Sequence, residues 1–456
     1  MERNIFKGGL MLKDKIKNKD ATLCIIGLGY VGLPTAIFFA EKGFNVIGVD
    51  KKKEVIDKVN KGISHLGELG LDERLQKVVS LKKLYATSNT KDAVSKSDVA
   101  ILIVPTPITK DKEPDLSYVE SAGEEVRDGL KKGQLIILES TVYPGVTEEV
   151  LQPILESTGL KAGVDFGLAY CPERYNPGDS QHTIENVKRI VGGINDVWGE
   201  VTKDLYSHVI KAGVTKVRDI KTAEAAKVIE NIQRDLNIAL MNELSLIFEK
   251  MGIDVIDVIK AASTKWNFNV YYPGAGVGGH CLPVDPYYLV AKARGLGYHS
   301  KVITAGRAIN DHMPHHIFEL LRDSLNEVER PVKNSKIVVL GFSYKENVGD
   351  ARETPVEHLV QELLKSKADV TVVDPFVEES FIKSFGVKVE DDPYNALKNA
   401  DALVLMTGHQ IFKELDLGKV KKIMKLPIII DGRRIYDKEN AMKLGFTYKG
   451  VGAGFR

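Results

Sequence analysis

Residues 21–32 read ATLCIIGLGYVG, and this stretch decides the fold of the chain around it. Its apolar first half predicts a short buried strand of a parallel sheet. Its second half is a glycine-rich turn, which residues 33–42 continue as a helix. A second apolar strand follows at 44–49 and ends on Asp50. A strand, a GxGxxG turn, a helix and a second strand closed by an acidic residue together predict a dinucleotide-binding unit.

The three glycines of this turn have separate physical tasks. Gly27 permits the tight turn, Gly29 lets the backbone approach a pyrophosphate, and Gly32 lets the helix pack closely on the strand. The pyrophosphate is expected at the positive, N-terminal end of the helix, which places Tyr30 and Val31 among the cofactor contacts.

Asp50 indicates which dinucleotide is bound. Its carboxylate is placed to accept hydrogen bonds from the hydroxyls of the adenosine ribose, which favours NAD over NADP. The lysines at 51–53 weaken that preference, because a nearby cation tolerates a 2′-phosphate.

Further apolar runs predict more strands of the same sheet, at 99–104, 135–138, 167–170 and 189–191. Pro105 and Thr106 follow the first run, Thr141 follows the second, and Glu173 follows the third. Ligands of a doubly wound sheet bind at the carboxyl ends of its strands. Pro105 and Thr106 should therefore border the cofactor, and Thr141 and Glu173 should share one edge. Taken singly, each of the last two is equally explained as turn chemistry or surface charge.

Residues 220–251 contain neither proline nor glycine and predict one long helix. Its apolar residues recur at helical spacing, which suits a domain spine or a dimer contact. Lys227 and Asn231 are four residues apart, so they share a face and could point at one ligand. The alternative for Lys227 is an ordinary solvated lysine.

Residues 274–286 read GAGVGGHCLPVDP and contain one of the three cysteines of the chain. Four glycines in so short a stretch suggest a loop wrapped closely around a ligand. Cys281 lies beside His280 and four residues before Asp285, a composition that suits an activated nucleophile. A glycine-rich turn around an inert buried cysteine is the alternative.

A second α/β unit is predicted after residue 331. It has strands at 337–340, 370–373, 402–406 and 427–430, and a helix at 355–365. Asp374 closes its second strand as Asp50 closes the earlier one, but the glycine fingerprint is missing, so a second dinucleotide is not expected. Cations follow its strands and suit a diphosphate, or else are surface charges; they are Lys345, Arg352, Arg433 and Arg434.

The bulk composition excludes several classes of function. With 456 residues, 43% of them hydrophobic, and a formal net charge of +1, nothing indicates nucleic acid or an anionic membrane as a partner. No apolar run is long enough to span a bilayer, and the first twenty residues, which are rich in lysine, lack the core of a signal peptide and are expected to be disordered. The cysteines lack metal-ligand spacing and suit reduced thiols in a cytoplasmic protein without a metal.

In their order along the chain, these motifs resemble those of the nucleotide-sugar 6-dehydrogenases, the family of UDP-glucose and UDP-N-acetylhexosamine 6-dehydrogenases. The resemblance runs from residue 21 to about 436 and rests on residues 27–32 with Asp50, 104–107, 139–145, 172–174, Lys227 with Asn231, 276–285, 341–355 and 431–434. It implies two Rossmann-like, doubly wound α/β domains joined by a long central helix. The implied division is a basic extension (1–20), an NAD-binding domain (21–215), a central helical dimerisation domain (216–330) and a UDP-binding domain (331–456).

The resemblance also implies a chemistry. Two successive hydride transfers to NAD convert C6 of the sugar to a carboxylate, and the thiolate of Cys281 holds the intermediate aldehyde and then a thioester. Lys227 and Asn231 would stabilise oxyanions, and Asp285 would act as a general base. Glu173 and Thr141 would handle the water that cleaves the thioester.

The remaining contacts implied by the resemblance are to the cofactor and the substrate. Those to NAD fall on Gly27, Gly29, Tyr30, Val31, Gly32, Asp50, Pro105, Thr106, Thr141 and Arg352. Those to the UDP-sugar fall on Glu173, Arg174, Tyr175, Lys227, Asn231, Tyr272, Gly276, Gly279, Lys345 and Arg433. The family pattern also places a homodimer contact on the long helix.

Two departures narrow the substrate. The chain has Val284 where UDP-glucose dehydrogenases usually have a lysine, and His280 where they have a small hydroxylated residue. The loop resembles instead the branch that acts on UDP-N-acetylhexosamines, somewhat nearer to the N-acetylglucosamine or N-acetylgalactosamine enzymes than to the N-acetylmannosamine enzymes. UDP-glucose dehydrogenase, a single-step hydroxyacid dehydrogenase and a non-catalytic sensor of NAD or UDP-sugar are the alternatives.

Overall fold

The computed structural model describes residues 2–66, 70–174 and 183–454. The chain divides into two compact units. The first comprises Met1–Glu230 and Tyr287–Gly297, and the second comprises Asn231–Pro286 and Tyr298–Arg456.

The first unit is built on one eight-stranded sheet. Its strands are β1 (Thr22–Ile26), β2 (Asn45–Val49), β3 (Leu84–Thr87), β4 (Val99–Leu102), β5 (Leu135–Leu138), β6 (Gly167–Tyr170), β7 (Arg189–Gly193) and β8 (Val214–Lys216). The order across the sheet is β3-β2-β1-β4-β5-β6-β7-β8, and all neighbours are parallel except β6 and β7. The first six strands have the doubly wound order that the fingerprint predicted.

Helices cover both faces of this sheet. They are α1 (Glu2–Asn18), α2 (Gly32–Glu41), α3 (Lys53–Asn60), α4 (Leu71–Ser80), α5 (Thr90–Lys96), α6 (Ser117–Arg127), α7 (Gln152–Glu156), which a π-helical turn (Thr147–Leu151) precedes, and α8 (Asp196–Ser207). Alternate residues of β1 pack into opposite layers, with Leu23 and Ile25 in one core and Cys24 and Ile26 in the other. Because both faces of the sheet are buried, the strands of this sheet are continuous apolar runs in the sequence.

The expectation that the first twenty residues are disordered is wrong, because Glu2–Asn18 form helix α1. Leu12 and Ile16 on this helix are buried, at 3% and 0% exposure. A methyl group on Gly9 would come within 2.7 Å of Val197 Cγ1, so α1 packs closely against α8. The buried apolar face outweighs the lysine content that suggested disorder.

The second unit contains a six-stranded, wholly parallel sheet. Its strands are β9 (Lys336–Leu340), β10 (Asp369–Val373), β11 (Lys388–Val389), β12 (Ala402–Leu405), β13 (Ile428–Asp431) and β14 (Thr447–Gly450). They lie in the order β11-β10-β9-β12-β13-β14, again a doubly wound pattern. The helices after β8 are α9 (Ile220–Met251), α10 (Val255–Ala262), α11 (Asp285–Gly295), α12 (Val302–Asn326), α13 (Pro355–Lys365), α14 (Glu379–Lys383), α15 (Pro393–Leu397), α16 (Gln410–Lys413), α17 (Leu417–Ile423) and α18 (Lys438–Lys443).

The two-sheet α/β fold with a long helix is thus confirmed. Helix α9 has the bounds that the absence of glycine and proline predicted, and its residues belong to the first unit up to Glu230 and to the second from Asn231. Helix α12 was not predicted, although it runs for 25 residues. The division into three domains stays a prediction.

Candidate active site

The glycine turn after β1 leaves open space where a pyrophosphate is expected. Gly27 has φ +94°, and a Cβ there would lie 2.2 Å from Ile103 O. A Cβ on Gly32 would lie 1.8 Å from Gly27 O, so these two glycines are required by close backbone packing. A Cβ on Gly29, in contrast, would have no heavy atom within 4 Å beyond those of Gly29 and its two chain neighbours. The turn therefore offers a backbone surface that a ligand can approach.

The carboxylate of Asp50 is fixed at the end of β2 by the backbone. Its Oδ2 accepts a hydrogen bond from Leu28 N at 3.1 Å, and its Oδ1 accepts one from Lys52 N at 2.8 Å. Each oxygen has a further lone pair, so the group can also accept from ribose hydroxyls. Tyr30, in the turn, is 47% exposed, and Val31 is half-buried.

The segments after β4 and β5 are tied to each other. Ser140 Oγ accepts a hydrogen bond from Val104 N at 2.9 Å and donates one to Val104 O at 2.7 Å. Pro105 and Thr106 come next, and Thr106 O accepts a hydrogen bond from the hydroxyl of Tyr288. These contacts hold the first predicted cofactor-bordering segment against the segment that carries Thr141.

Glu224 on α9 anchors the other end of the Thr141 segment, and sequence reasoning missed it. Its carboxylate accepts hydrogen bonds from Gly145 N at 2.6 Å, from Thr147 N at 2.9 Å and from Thr147 Oγ1 at 2.7 Å. Burial raises the pKa of Glu224 to about 7, although these hydrogen bonds lower it. Thr141 itself is half-buried. A glutamate on the first turns of a helix gives no local signal of such a role.

Glu173 follows β6 and is held by a buried arginine. Arg189 is 1% exposed and forms ion pairs with Glu173 and with Glu139. Arg174, predicted to contact substrate, is tied to α9 by an ion pair to Glu230 at 2.7 Å. Tyr175, also predicted as a substrate contact, lies outside the described residues.

Lys227 is not the solvated lysine that its helical position allowed. It is 7% exposed. Within the described ranges, no hydrogen bond or ion pair joins its ammonium group to another residue. A buried cation without an internal anion is costly unless a ligand supplies the counter-charge.

The second unit holds Cys281, Asp285 and Asn231 together. The backbone N–H of Asp285, the first residue of α11, donates to Cys281 O at 2.8 Å, and Val284 N donates to the same oxygen at 3.1 Å. Asn231 Nδ2 donates to Asp285 Oδ2, and Asp285 is 2% exposed. The turn from the cysteine into α11 thus fixes a thiol, a carboxylate and an amide within one segment and the helix beside it.

Cys281 is also the accessible thiol of the three, all of which lie in the described residues. It is half-buried, whereas Cys24 and Cys171 are fully buried. Burial raises the pKa of Cys24 to about 12 and that of Cys171 still further. Of the three, only Cys281 combines exposure with neighbouring polar groups.

The glycine loop before Cys281 is shaped by residues that sequence reasoning missed. Asn242 Oδ1 accepts a hydrogen bond from Gly274 N at 2.9 Å. A Cβ on Gly278 would come within 2.5 Å of Tyr344 Cβ, so the tyrosine packs directly on the loop backbone. Gly276 and Gly279 have φ +113° and +90°, and Gly279 N donates to Arg352 O at 3.1 Å. Burial, then the charges of Asp350 and Cys281, raise the pKa of Tyr344 to about 12.

The predicted phosphate cations divide into structural and available ones. Arg434 pairs with Asp254 at 2.6 Å, and Arg352 pairs with Asp350 at 2.6 Å, so their guanidinium groups are engaged within the chain. Arg433 donates through Nε to Met406 O at 2.8 Å. Arg433 also lines a cavity of about 430 Å³, together with Tyr272 and Pro273.

Lys345 is half-buried in the loop after β9, where its carbonyl accepts a hydrogen bond from Ser343 Oγ at 2.9 Å. Among residues 2–66, 70–174 and 183–454, no three His, Cys, Asp or Glu side chains are grouped so as to hold a metal ion. In the same residues, no helix is both long and apolar enough to cross a membrane.

Comparison with known proteins identifies similar sequences over most of the chain. Residues 21–210, 221–312 and 338–438 match the NAD binding, central and UDP binding domains of the UDP-glucose/GDP-mannose dehydrogenase family. The chain is 40% identical to UDP-N-acetyl-D-glucosamine 6-dehydrogenase of Pseudomonas aeruginosa, over 93% of this chain and 99% of that one.

Solved structures give the same picture. The UDP-D-ManNAc dehydrogenase of Pyrococcus horikoshii has a TM-score of 0.87 and 38% identity, with 95% of this chain and 99% of that one covered. The NDP-N-acetyl-D-galactosaminuronic acid dehydrogenase of Methanosarcina mazei has a TM-score of 0.85 and 35% identity, with 97% and 98% covered.

Proposed function

The chain belongs to the UDP-glucose/GDP-mannose dehydrogenase family, and from this premise we propose that it is an NAD-dependent UDP-N-acetylhexosamine 6-dehydrogenase. The reaction is the four-electron oxidation of the C6 hydroxymethyl group to a carboxylate. The observation that carries the proposal is the segment from Cys281 to Asp285, which joins an accessible thiol to a buried carboxylate and to the amide of Asn231. A one-step alcohol dehydrogenase has no need of such a thiol.

NAD, when bound, takes up the hydride that leaves C6 in each of the two oxidations. The residues at the first sheet suit it. The open backbone at Gly29 admits the pyrophosphate, and the fixed carboxylate of Asp50 accepts from the ribose hydroxyls.

Cys281 keeps the aldehyde from escaping between the two oxidations. Its thiolate sulfur bonds to the aldehyde carbon and gives a thiohemiacetal, whose oxygen carries the proton or the negative charge. Loss of the second hydride from that carbon leaves a thioester. Water then adds to the thioester carbonyl, the carbon–sulfur bond breaks, and Cys281 is released as the thiolate.

Lys227 and Asn231 stabilise the oxyanions of these steps in this proposal. Lys227 is a buried cation, and Asn231 has a second amide hydrogen left after it donates to Asp285. Donors fixed in advance at a developing negative charge are a large source of catalysis. Asp285 is the candidate general base of the alcohol oxidation.

The UDP end of the substrate is assigned to the second unit. Arg433 lines the same cavity as Tyr272, and a guanidinium group there suits a diphosphate. Arg352 is the weaker candidate for a ligand contact, because its side chain is paired with Asp350.

The N-acetylated sugar class follows from His280 and Val284 in the cysteine loop, and the relatives carry names of the same class. UDP-N-acetylglucosamine and UDP-N-acetylgalactosamine are favoured, with UDP-N-acetylmannosamine close behind. A cytoplasmic homodimer through α9 completes the proposal, since Ile229, Leu240 and Ile247 are between 46% and 55% exposed on that helix.

The test is the number of NADH molecules formed per sugar consumed. The three UDP-N-acetylhexosamines and UDP-glucose are compared on the wild type, on Cys281→Ala and on Cys24→Ala as the matched control. We expect a ratio of two with an N-acetylated sugar, kept in the control and lost in Cys281→Ala. A ratio of one, or an unchanged ratio in Cys281→Ala, would contradict the proposal, and turnover of UDP-glucose alone would reassign the substrate.

A further inference from the structure

We propose that Arg189 is a positioning residue for the hydrolysis of the Cys281 thioester, because it holds Glu173 as an oriented carboxylate. Glu139 competes with Glu173 for the positive charge of Arg189 and so tunes the strength of that interaction. The inference rests on the proposed function, in which Glu173 handles the attacking water. It adds two residues, Arg189 and Glu139, that do not touch the substrate and act through Glu173.

The sheet topology places Arg189 directly opposite Glu173. Strands β6 and β7 are antiparallel, with Ala169 paired to Gly193 and Tyr170 to Gly192. Continuing this register by three residues brings Glu173 opposite Arg189, the first residue of β7. Opposite residues of an antiparallel pair present their side chains on the same face. The single antiparallel neighbour in an otherwise parallel sheet is therefore what delivers a cation to the end of β6.

The guanidinium of Arg189 joins three groups. Its Nη1 donates to Glu139 Oε1 at 2.8 Å and to Pro172 O at 3.0 Å, and its Nη2 donates to Glu173 Oε2. Glu139 follows β5 directly and lies two residues before Thr141. Arg189 thus ties the end of β5 to the end of β6, the two places from which Thr141 and Glu173 extend.

The cluster runs from the core toward the surface. The Tyr206 hydroxyl donates to Glu139 Oε2 at 2.7 Å, and the Glu139 side chain is 0% exposed. The Glu173 side chain, at the other end of the cluster, is 10% exposed. Glu139 is therefore a fully buried counter-ion of Arg189, whereas the side chain of Glu173 is accessible to solvent.

The charge balance gives the cluster a chemical consequence. Burial lowers the pKa of Arg189, but the carboxylates of Glu173 and Glu139 outweigh that effect and raise it well above its ordinary value, so the group stays a cation. One cation facing two carboxylates leaves an anion at the solvent end. For stability alone such a cluster is a poor choice, since well-packed apolar residues usually serve as well as a buried ion network.

In the hydrolysis step, Glu173 takes a proton from the water whose oxygen bonds to the thioester carbon, and the carbon–sulfur bond breaks as Cys281 leaves. Only the carboxylate form can accept that proton. If Arg189 is lost, Glu139 and Glu173 are left near each other without a cation, and a proton bound to one of them relieves the repulsion. Hydrolysis then requires a higher pH. If Glu139 loses its charge instead, Arg189 serves Glu173 alone and hydrolysis persists to a lower pH.

Among the residues that the structure describes, the titratable and charged groups that contact Glu173 or its neighbours are Arg189 on β7, Glu139 after β5, Tyr206 on α8, Cys171 at the end of β6, Arg174 next to Glu173 in sequence and Glu230 on α9. Burial, then Glu139, raise the pKa of Tyr206 well above its ordinary value, and burial raises that of Cys171, so both stay neutral in the working range. Arg174 and Glu230 neutralise each other as an ion pair. Of these described groups, Arg189 and Glu139 are therefore the two to substitute in order to change the field at Glu173.

The experiment uses the full-length enzyme in single turnover with NAD and the preferred UDP-sugar. The variants are Arg189→Gln, Glu139→Gln and, as a matched buried arginine of the second unit, Arg307→Gln, since Arg307 pairs with Asp235 at 2.6 Å. We record the NADH formed in the first turnover, the thioester on Cys281 by mass spectrometry after acid quench, and the pH at which hydrolysis is half-maximal.

We expect Arg189→Gln to keep the first-turnover NADH, to accumulate thioester and to slow hydrolysis by about 100-fold, the usual size of a general-base contribution. The half-maximal pH should rise in Arg189→Gln, fall in Glu139→Gln and stay unchanged in Arg307→Gln. A role in folding alone predicts shifts in one direction or none, so that pattern would overturn the proposal, as would equal slowing of NADH formation and hydrolysis. If Arg189→Gln does not fold, the direction of the Glu139→Gln shift decides. A wild type that forms only one NADH would instead overturn the proposed function itself.

Discussion

Asp50 and Asp374 occupy equivalent positions in the two sheets. Asp50 directly follows β2, which pairs with β1, and Asp374 directly follows β10, which pairs with β9. Asp50 is half-buried and accepts two backbone hydrogen bonds. The side chain of Asp374 is 0% exposed and lies 3.0 Å from the imidazole of His409. It also accepts hydrogen bonds from the backbone N–H groups of Phe342, Ser343, Phe376 and Val377.

The difference shows that strand order does not decide which ligand a sheet binds. A carboxylate has about four acceptor positions, and Asp374 uses its capacity on its own chain. Asp50 keeps capacity for a ribose. The turn after the first strand differs in the same sense. Gly29, two residues after Gly27, is open to a ligand, whereas the residue two positions after Gly341 is Ser343, whose N–H donates to Asp374. Under the proposed function, the first sheet uses its strand-end aspartate to bind a ligand, whereas the second uses its aspartate to hold its own loops.

The largest effect that would test this contrast is on stability. Asp374→Asn should lower the free energy of unfolding of the second unit by about 3 kcal/mol, because the amide nitrogen that replaces one carboxylate oxygen leaves buried backbone N–H groups without an acceptor, at about 1–3 kcal/mol each. Asp50→Asn, the matched control, should cost about 1 kcal/mol or less. Urea unfolding followed by circular dichroism measures both. Equal losses in the two variants would contradict the assignment of a structural role to one aspartate alone.

Glu224 and Asp374 sharpen the comparison through opposite dependences on pH. Burial raises the pKa of Glu224 from its ordinary 4.5 to about 7, so its contribution to stability is complete below about pH 4.5 and is lost as the pH rises through 7. The loss is at most about 3.5 kcal/mol, at about 1.4 kcal/mol per pKa unit. Burial raises the pKa of Asp374, but His409 and backbone N–H groups prevail and lower it, so its contribution is lost only as the pH falls below its ordinary value of 3.8.

Fluorescence can follow the first of these effects separately. Trp198 in the first unit is 1% exposed and Trp266 in the second is 92% exposed, so the emission change on unfolding comes chiefly from Trp198. In the wild type, the unfolding midpoint reported by Trp198 should decrease as the pH rises from 4.5 to 7. In Glu224→Gln this decrease should be absent, and the midpoint should instead rise slightly, because burial lowers the pKa values of His65 and His208 in the same unit. A decrease that survives the substitution would assign the effect to another group.

The smallest change concerns Gly29. Because a Cβ there meets nothing within 4 Å, Gly29→Ala should change the free energy of unfolding by less than about 0.5 kcal/mol. It should weaken NAD binding by about tenfold, or about 1.4 kcal/mol, because the methyl group stands where the pyrophosphate approaches. Gly295→Ala, which is equally open, is the control and should leave NAD binding unchanged. Unaltered affinity in Gly29→Ala would place the pyrophosphate elsewhere.

Much of the fold could be predicted from the sequence because its signals are local. Apolar runs gave the strands, and the run without glycine or proline gave α9. Glu173 and Thr141 could be placed at one edge by topology alone. The ion pairs that Arg189 forms with Glu139 and Glu173 could not be predicted. In the sequence, Arg189 looks like an ordinary strand residue and Glu139 like an ordinary turn residue, and only the antiparallel register of β7 brings them together.

The cations of the second unit show a second limit. Arg352, Arg433 and Arg434 look alike as charges in strand-end loops. Their difference lies in distant partners, because Asp254, 180 residues from Arg434 in sequence, engages that side chain. Long-range contacts of this kind decide whether a charged side chain pairs within the chain or is available to a ligand, and local sequence patterns do not predict them.

The measurement that tests the central claim most directly is equilibrium titration of NAD and, separately, of UDP into the wild type, Asp50→Asn and Arg433→Met. The account predicts that Asp50→Asn weakens NAD binding by about 10- to 100-fold, the worth of hydrogen bonds to a charged group, and leaves UDP binding unchanged. Arg433→Met should weaken UDP binding by a similar factor and leave NAD binding unchanged. If either substitution weakened both ligands equally, the assignment of one nucleotide to each sheet would be contradicted.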